Sequence, residues 1–267
     1  MRFSQFLKLV FEVSSECGPI ESADAFQVSQ FFEKIAVTQK QADMICEKTK
    51  NQGQTDFWSK QRTGRLTGSN FYRICHLREN ANKDNILKEL LNYHPLPPEK
   101  QPNRFRWGHE KEISALDLYL KKLQKKHKGL AICKSGLVVN VSWPHLGASP
   151  DGICHCLCCA KRVIEVKSLF SKRSLPPHIA ASEYVQKVDG KYHFERETKW
   201  YFQIQGELAT TGLLIADLTI YTNKGIMIVE VEFTRDFWEA LLKKLTTFYK
   251  DYLVPELLTQ KIYKQLL

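Results

Sequence analysis

The sequence predicts an α/β (α+β) fold with a mixed central β-sheet flanked by helices, and three observations predict it. Helix-period apolar patterns fill most of the first half of the chain, short β-branched or alternating segments follow between residues 130 and 232, and an amphipathic stretch at 236–253 comes after them. With 267 residues, 43% hydrophobic and 25% charged, the chain is long enough for one large core or two small ones, and its composition excludes wholesale disorder.

Residues 3–13 and 23–50 read as helical pieces separated by Cys17, Gly18 and Pro19. A polar break at 51–54 precedes Phe57 and Trp58, which divides the chain into an N-terminal helical extension, 1–54, and a main domain, 55–267. Ser69 is expected to N-cap a helix over 70–76, and a helix over 84–93 ends at the proline run 95–98. From Trp107 to Lys126 the residues Ile113, Leu116, Leu120 and Leu123 form an apolar helical stripe. The basic end 121–128 complements the helix dipole.

Strands are expected next. Residues 130–142 are rich in Val, Ile and Leu with a break at Ser135 and Gly136. Residues 162–168 alternate Val163, Glu165 and Lys167 on one face with Ile164 and Val166 on the other, so an acid and a base share a face. Asp189-Gly190 marks a hairpin between 184–188 and 191–194, a helix covers 199–211 and ends near Gly212, and a second antiparallel pair, 216–222 with 226–232, turns at Asn223 to Gly225.

Lys and Arg number 39 against 29 Asp and Glu, a formal charge of +10, which favours a polyanionic partner with nucleic acid as the first candidate. No apolar run reaches the ~18 residues of a membrane helix, so no membrane partner is expected. Four of the eight cysteines crowd into residues 154–159, where neighbours cannot all form normal disulfides. Reduced thiols place the protein inside the cell, in nucleus or cytoplasm, and not among secreted proteins.

The chemistry-bearing constellation is Ser149-Pro150-Asp151-Gly152 followed by Glu165-Val166-Lys167. A carboxylate at a strand end, joined through a hairpin to a strand bearing Glu-x-Lys, can bring two anionic groups and one ammonium around a point. Asp151, Glu165 and the carbonyl of Val166 would suffice as the protein's share of a Mg²⁺ or Mn²⁺ shell, with Lys167, depressed in pKa or simply positioned, orienting or deprotonating a water. Taken singly, Glu-x-Lys is more often a solvated ion pair and Asp-Gly more often a turn.

Joined in order and followed by Gln203-Ile204-Gln205, these residues resemble the signature of the PD-(D/E)xK nuclease superfamily, and in particular its lambda exonuclease and YqaJ-type viral recombinase family. The resemblance runs from Phe57 to about Tyr221. Trp58 and the segment from Arg62 to Ser69 resemble the family's opening element, with Gly68 where alanine is common; Trp107-Gly108, Glu112 and Ala115 resemble its W-G-x-x-x-E-x-x-A helix; and Tyr201 to Gln205 resemble the following helix. The resemblance implies a restriction-endonuclease-like core in 55–267 acting as a catalytic domain. It implies Glu112, Asp151 and Glu165 as the acidic cluster, one or two ions, Lys167 as the water-positioning base, Gln203 touching the lysine or a metal-bound water, and Arg62 with Ser69 on phosphate.

Glu110 competes with Glu112, but two residues apart on a helix they diverge by roughly 200°, and Glu112 keeps the family spacing to Gly108 and Ala115. The implied activity is 5′-to-3′ exonuclease digestion of double-stranded DNA in recombination or repair, with a homo-oligomer, a trimer in the family, as a further expectation. The alternatives are a structure-selective endonuclease on the same fold and a DNA-binding module without catalysis.

The cluster Cys154, His155, Cys156, Cys158 and Cys159 belongs to no part of this pattern. The favoured reading is an unliganded, reduced turn. Zinc, with Cys133 nearby, is the alternative, disfavoured because one tight cluster must wrap itself around the ion. His109 is read as an exposed helix residue, Trp200, Tyr201 and Phe202 as core, and Lys121 to Lys128 as a solvated end.

Overall fold

The computed structural model describes residues 24–94 and 102–266, so the expected helix at 3–13 and the proline run at 95–98 lie outside the described residues. The described strands are β1 (Leu66–Thr67), β2 (Ala131–Cys133), β3 (Leu146–Gly147), β4 (Gly152–His155), β5 (Arg162–Ser168), β6 (Val185–Val188), β7 (Lys191–Phe194), β8 (Ile215–Thr222) and β9 (Gly225–Glu232). Packing divides the chain into two compact units, one of residues 24–94, 136–149 and 235–266, the other of residues 102–135 and 150–234. No described helix is long and apolar enough to cross a membrane.

The second unit carries a mixed five-stranded sheet in the order β2-β4-β5-β8-β9, in which β5 and β8 are parallel and the other pairs antiparallel. A parallel pair needs a long crossover, and the helix Lys199–Thr211 lies within it, ended by Gly212 at φ 71. The turn Asp189-Gly190 has both φ values positive, 49 and 79, as a two-residue hairpin requires. Central strand β5 is buried from Val163 to Val166. Ile164 and Val166 pack with Ala115 and Tyr119 of the helix Asn103–Leu123 in one apolar cluster, which leaves Glu165 and Lys167 on the opposite face.

Ile113 does not join the stripe expected of it and is 67% exposed. At about 100° per residue, the line through residues 112, 116, 119 and 123 faces the sheet, and position 113 lies a quarter turn away. The strand expected over 130–142 is confined to β2, followed by one bridge from Val138 to Ala148.

In the first unit the stretch 23–50 forms two helices, Ala25–Lys34 and Gln39–Lys48, because Asp24 with Gln27 and Thr38 with Gln41 each make a capping box. These helices are built into the unit: the Phe31 ring lies tilted 6.4 Å from Tyr249, Phe32 lies 5.3 Å from His145, and buried Thr49 accepts the backbone N–H of Leu137 at 2.7 Å. The helix expected from residue 236 runs as Arg235–Phe248 and widens into a π-turn at Tyr249–Leu253.

Gly136 marks a close backbone approach in this unit. A Cβ there would sit 2.0 Å from the Cys46 carbonyl oxygen and 2.4 Å from Thr49 Oγ1. Gly136→Ala is therefore expected to destabilise the protein by about 3 kcal/mol, seen as a lower denaturant midpoint. An unchanged midpoint would show that the two segments do not meet as described.

Candidate active site

Asp151 directly precedes β4, whose antiparallel register with β5 pairs Gly152 with Ile164, so one step further Asp151 falls level with Glu165. The Val166 backbone N–H donates to Asp151 Oδ2 at 2.7 Å and fixes that carboxylate. Gly152 is a strand residue here and not the turn that Asp-Gly suggests in isolation. A Cβ on it would lie 2.7 Å from Ile132 Cγ2.

Lys167 Nζ donates to Glu165 Oε1 at 2.6 Å and to Gln203 Oε1 at 2.9 Å. Gln203 Nε2 donates to Glu165 Oε1 at 2.6 Å and to Glu207 Oε1 at 2.9 Å. The helix Lys199–Thr211 thus presents Gln203, and Glu207 one turn later, to the polar face of β5. Glu207, 1% exposed, is a member that the sequence reading missed. Its i+4 spacing from Gln203 is the signal that was available. Gln205, which stands in the resembling motif, turns away to bond the Glu232 carbonyl and the Thr234 N–H.

The electrostatics are those of an acid-rich cluster. Burial, then the charges of Glu165 and Glu112, hold the Asp151 carboxyl well above its usual range, and burial with Glu165 does the same to Glu207. Burial pulls the Lys167 pKa down, but Glu165 and Asp151 act against it and the net direction is up. Lys167 is thus a positioned ammonium in this geometry, and its pKa moves opposite to the depressed-lysine alternative.

Glu112 is half-buried on the sheet-facing line of its helix and close enough to act on Asp151, whereas Glu110 is exposed on the far side. His109 is exposed, with Nδ1 3.8 Å from Glu112 Oε2, and this carboxylate raises its pKa. Trp107 anchors the same helix through ring contacts with Phe170 and Tyr221 at 5.7 and 5.9 Å. Trp200, Tyr201 and Phe202 are buried.

The donor set suits a hard divalent cation. Glu165 is 3% exposed, yet its Oε2 and the Oε2 of Glu207 are buried with no hydrogen-bond partner. Asp217, a comparably buried acid on β8, differs: its two oxygens accept Tyr119 at 2.6 Å and Arg162 at 2.9 Å. An unpaired buried carboxylate oxygen costs several kcal/mol unless a proton or a cation meets it, and Asp217, with both oxygens bonded, needs neither.

Arg62 and Ser69, in the first unit, are brought together. The Arg62 guanidinium lies 4.4 Å from the centre of the Trp58 ring and donates to Thr67 Oγ1 at 3.0 Å, Ser69 Oγ at 3.2 Å and Ser149 Oγ at 3.4 Å. No carboxylate pairs with Arg62 among the described residues. Ser69 is not the N-cap expected of it: the helix is Gly68–Cys75 and Thr67 occupies the cap, because the chain is still extended there (φ −119, ψ 155). Arg65 of the same segment is structural, 3% exposed and bonded to the Pro144 and Gln61 carbonyls.

A sheet with one parallel pair at its centre, an acid before β4 and Glu-x-Lys on β5 give an α/β fold consistent with a PD-(D/E)xK-like core. Residues 57–214 match the model of the YqaJ-like viral recombinase domain, and the chain belongs to that family. Among solved structures it is similar to an alkaline exonuclease from Laribacter hongkongensis, at 20% identity over 79% of this chain and 100% of that one with a TM-score of 0.58. It is also similar to the shutoff and exonuclease protein of Kaposi's sarcoma-associated herpesvirus, at 10% identity over 87% and 78% with a TM-score of 0.55. A SOX–DNA complex matches at 10% identity over 94% and 79%, TM-score 0.54. No curated protein sequence matches the chain.

Proposed function

We propose that the protein is a divalent-cation-dependent DNase that digests double-stranded DNA from 5′ ends, in recombination or repair. The observation that carries this reading is the buried, unpartnered Glu165 Oε2 within a cluster that also holds Asp151, Lys167, Gln203 and Glu207. The family membership supports it, as do the names of the similar structures, two of which are exonucleases and one a complex with DNA.

Asp151, Glu165, the Val166 carbonyl and Glu112 would hold one or two Mg²⁺ or Mn²⁺ ions. When bound, such an ion would supply Lewis acidity to the phosphate and to an attacking water. The chain's own groups do the rest. Lys167 places a positive charge where the phosphate gains negative charge, and Gln203 holds that ammonium and the Glu165 carboxylate in one orientation. The Val166 N–H locks Asp151, and the +10 net charge draws the polyanion in. In sequence we retain 1–54 as an extension of a 55–267 catalytic domain, although helices of that extension contribute to the core of the first unit.

The deciding experiment is a time course on end-labelled linear, nicked and circular duplexes with Mg²⁺, Mn²⁺ or EDTA. Release of nucleotides from linear 5′ ends, with circles intact and EDTA silencing the reaction, is expected. Cleavage of circles would replace the exonuclease with a structure-selective endonuclease, and binding without cleavage would leave only a DNA-binding module. With an active preparation, Glu112→Ala is expected to cost about tenfold or more in rate and Glu110→Ala less than about twofold. The reverse order would place the wrong helix face on the metal.

A further inference from the structure

The cysteine-rich turn, which reads from the sequence as unliganded, is joined in three dimensions by a histidine from another segment. His127 follows the helix Asn103–Leu123, and its backbone N–H still bonds the Leu123 carbonyl at 3.2 Å. Strands β2 and β4 then run antiparallel with Ala131 opposite His155, and continuing that register outward brings His127 level with Cys159. A backbone bond from the Leu157 N–H to the Lys128 carbonyl, 2.9 Å, ties the same two segments.

The imidazole Nδ1 of His127 lies 3.7 Å from Cys156 Sγ, 3.5 Å from Cys158 Sγ and 3.5 Å from Cys159 Sγ. Cys156 and Cys158 Sγ are 3.4 Å apart, Cys158 and Cys159 Sγ 3.8 Å, and all four ligand atoms lie within 4.8 Å of one another. With Zn–S near 2.3 Å and Zn–N near 2.05 Å, a tetrahedral S₃N shell has edges of about 3.8 Å between sulfurs and about 3.5 Å from nitrogen to sulfur. Five of the six separations match those edges to within about 0.4 Å, and the sixth, Cys156 to Cys159, is no more than 4.8 Å. The sulfur separations are too long for the S–S bond of about 2.05 Å.

We propose that His127, Cys156, Cys158 and Cys159 bind one structural zinc ion. The expectation that a tight cluster must wrap itself around the ion fails because one ligand comes from a separate segment. Cys133 lies outside the shell, its Sγ 3.8 Å from His155 Nδ1, and Cys154 is buried on the opposite side of its strand from His155. Three thiolates around Zn²⁺ leave one net negative charge, which Lys126 and Lys128 on either side of His127, and Lys161 two residues after Cys159, would help to offset. The soft sulfur set separates this site from the oxygen cluster at Asp151 and Glu165, which selects hard cations. The ion would clip the closed end of the β4–β5 hairpin, whose other end carries Asp151, Glu165 and Lys167.

Full-length protein, purified reduced, is expected to retain one zinc per chain after dialysis, by elemental analysis. Cobalt titrated into zinc-stripped protein should give the intense visible bands of tetrahedral thiolate coordination. His127→Ala and Cys159→Ser should weaken cobalt binding about a hundredfold or more, His127→Cys should restore it, and Cys133→Ser and Asp151→Asn should leave it unchanged. The site is overturned by wild-type protein that lacks both zinc and the cobalt bands, by a Cys–Cys disulfide found by mass in reduced preparations, or by Cys133→Ser losing metal as readily as Cys159→Ser. Because Asp151→Asn is expected to keep its zinc, failure of the nuclease reading and failure of this site are read separately.

Discussion

Asp151→Ala and Glu165→Ala are each expected to lower DNA hydrolysis by about three orders of magnitude, roughly 4 kcal/mol in the barrier, while duplex affinity stays within a few fold. The two effects separate because affinity rests on contacts with many phosphates, and the cluster acts on the one being cleaved. A structural role would predict something else. Asp151 is held protonation-prone by burial and by Glu165 and Glu112, so Asp151→Asn removes a repulsion while keeping an acceptor for the Val166 N–H. Its melting temperature in EDTA should equal or exceed that of the wild type. Stabilisation by added Mg²⁺ or Mn²⁺, expected in the wild type, should vanish in the variant, since a ligand stabilises only the state that binds it. Cleavage at the wild-type rate by either purified alanine variant would remove the proposed site.

Most of this cluster could be read from the sequence because its geometry is local or nearly so. Alternation along β5 puts Glu165 and Lys167 on one face from the sequence alone, and a hairpin is a short route back to Asp151. Glu112 was separable from Glu110 by helical angle, and the structure puts them on opposite sides. Glu207 was missed because nothing in a single helix says which of its polar residues a distant strand will bury. Ile113 was misplaced for a related reason: the stripe was drawn through apolar residues, and the sheet-facing line includes Glu112, an acid. His127 was overlooked since only the antiparallel β2–β4 register brings it to the cysteines, and pairing partners are non-local information. Likewise Thr67 took the cap assigned to Ser69, a shift of two residues that propensity cannot resolve when both carry hydroxyls.

That shift leaves Ser69 free to serve the guanidinium beside it, and the second large effect is expected there. Arg62→Ala should slow digestion of 5′-phosphorylated duplexes by about a hundredfold and that of 5′-hydroxyl duplexes far less, so that the end-group preference expected of the wild type collapses. Arg62 has no carboxylate partner among the described residues. A guanidinium held in one place usually has a carboxylate to hold it, whereas here a Trp58 face and the hydroxyls of Thr67, Ser69 and Ser149 do so and leave its charge uncancelled. Neutral partners fix the direction of the donors without satisfying the charge, which is the arrangement a phosphate dianion completes with paired hydrogen bonds. Ser69 adds a hydroxyl in the first turn of the helix Gly68–Cys75, where unpaired N–H groups favour an anion. A terminal phosphate bears more charge than an internal one and is held more tightly by the same donors, so the pocket would register the duplex by its end. Arg62→Lys separates geometry from charge: a point charge that cannot make the fork should recover only part of the preference. Initial rates on otherwise identical duplexes with either end group, for wild type, Arg62→Ala and Arg62→Lys, measure this directly. A wild type indifferent to the end group, or an Arg62→Ala variant that keeps the full preference, would eliminate the phosphate pocket and favour endonucleolytic cleavage on the same fold.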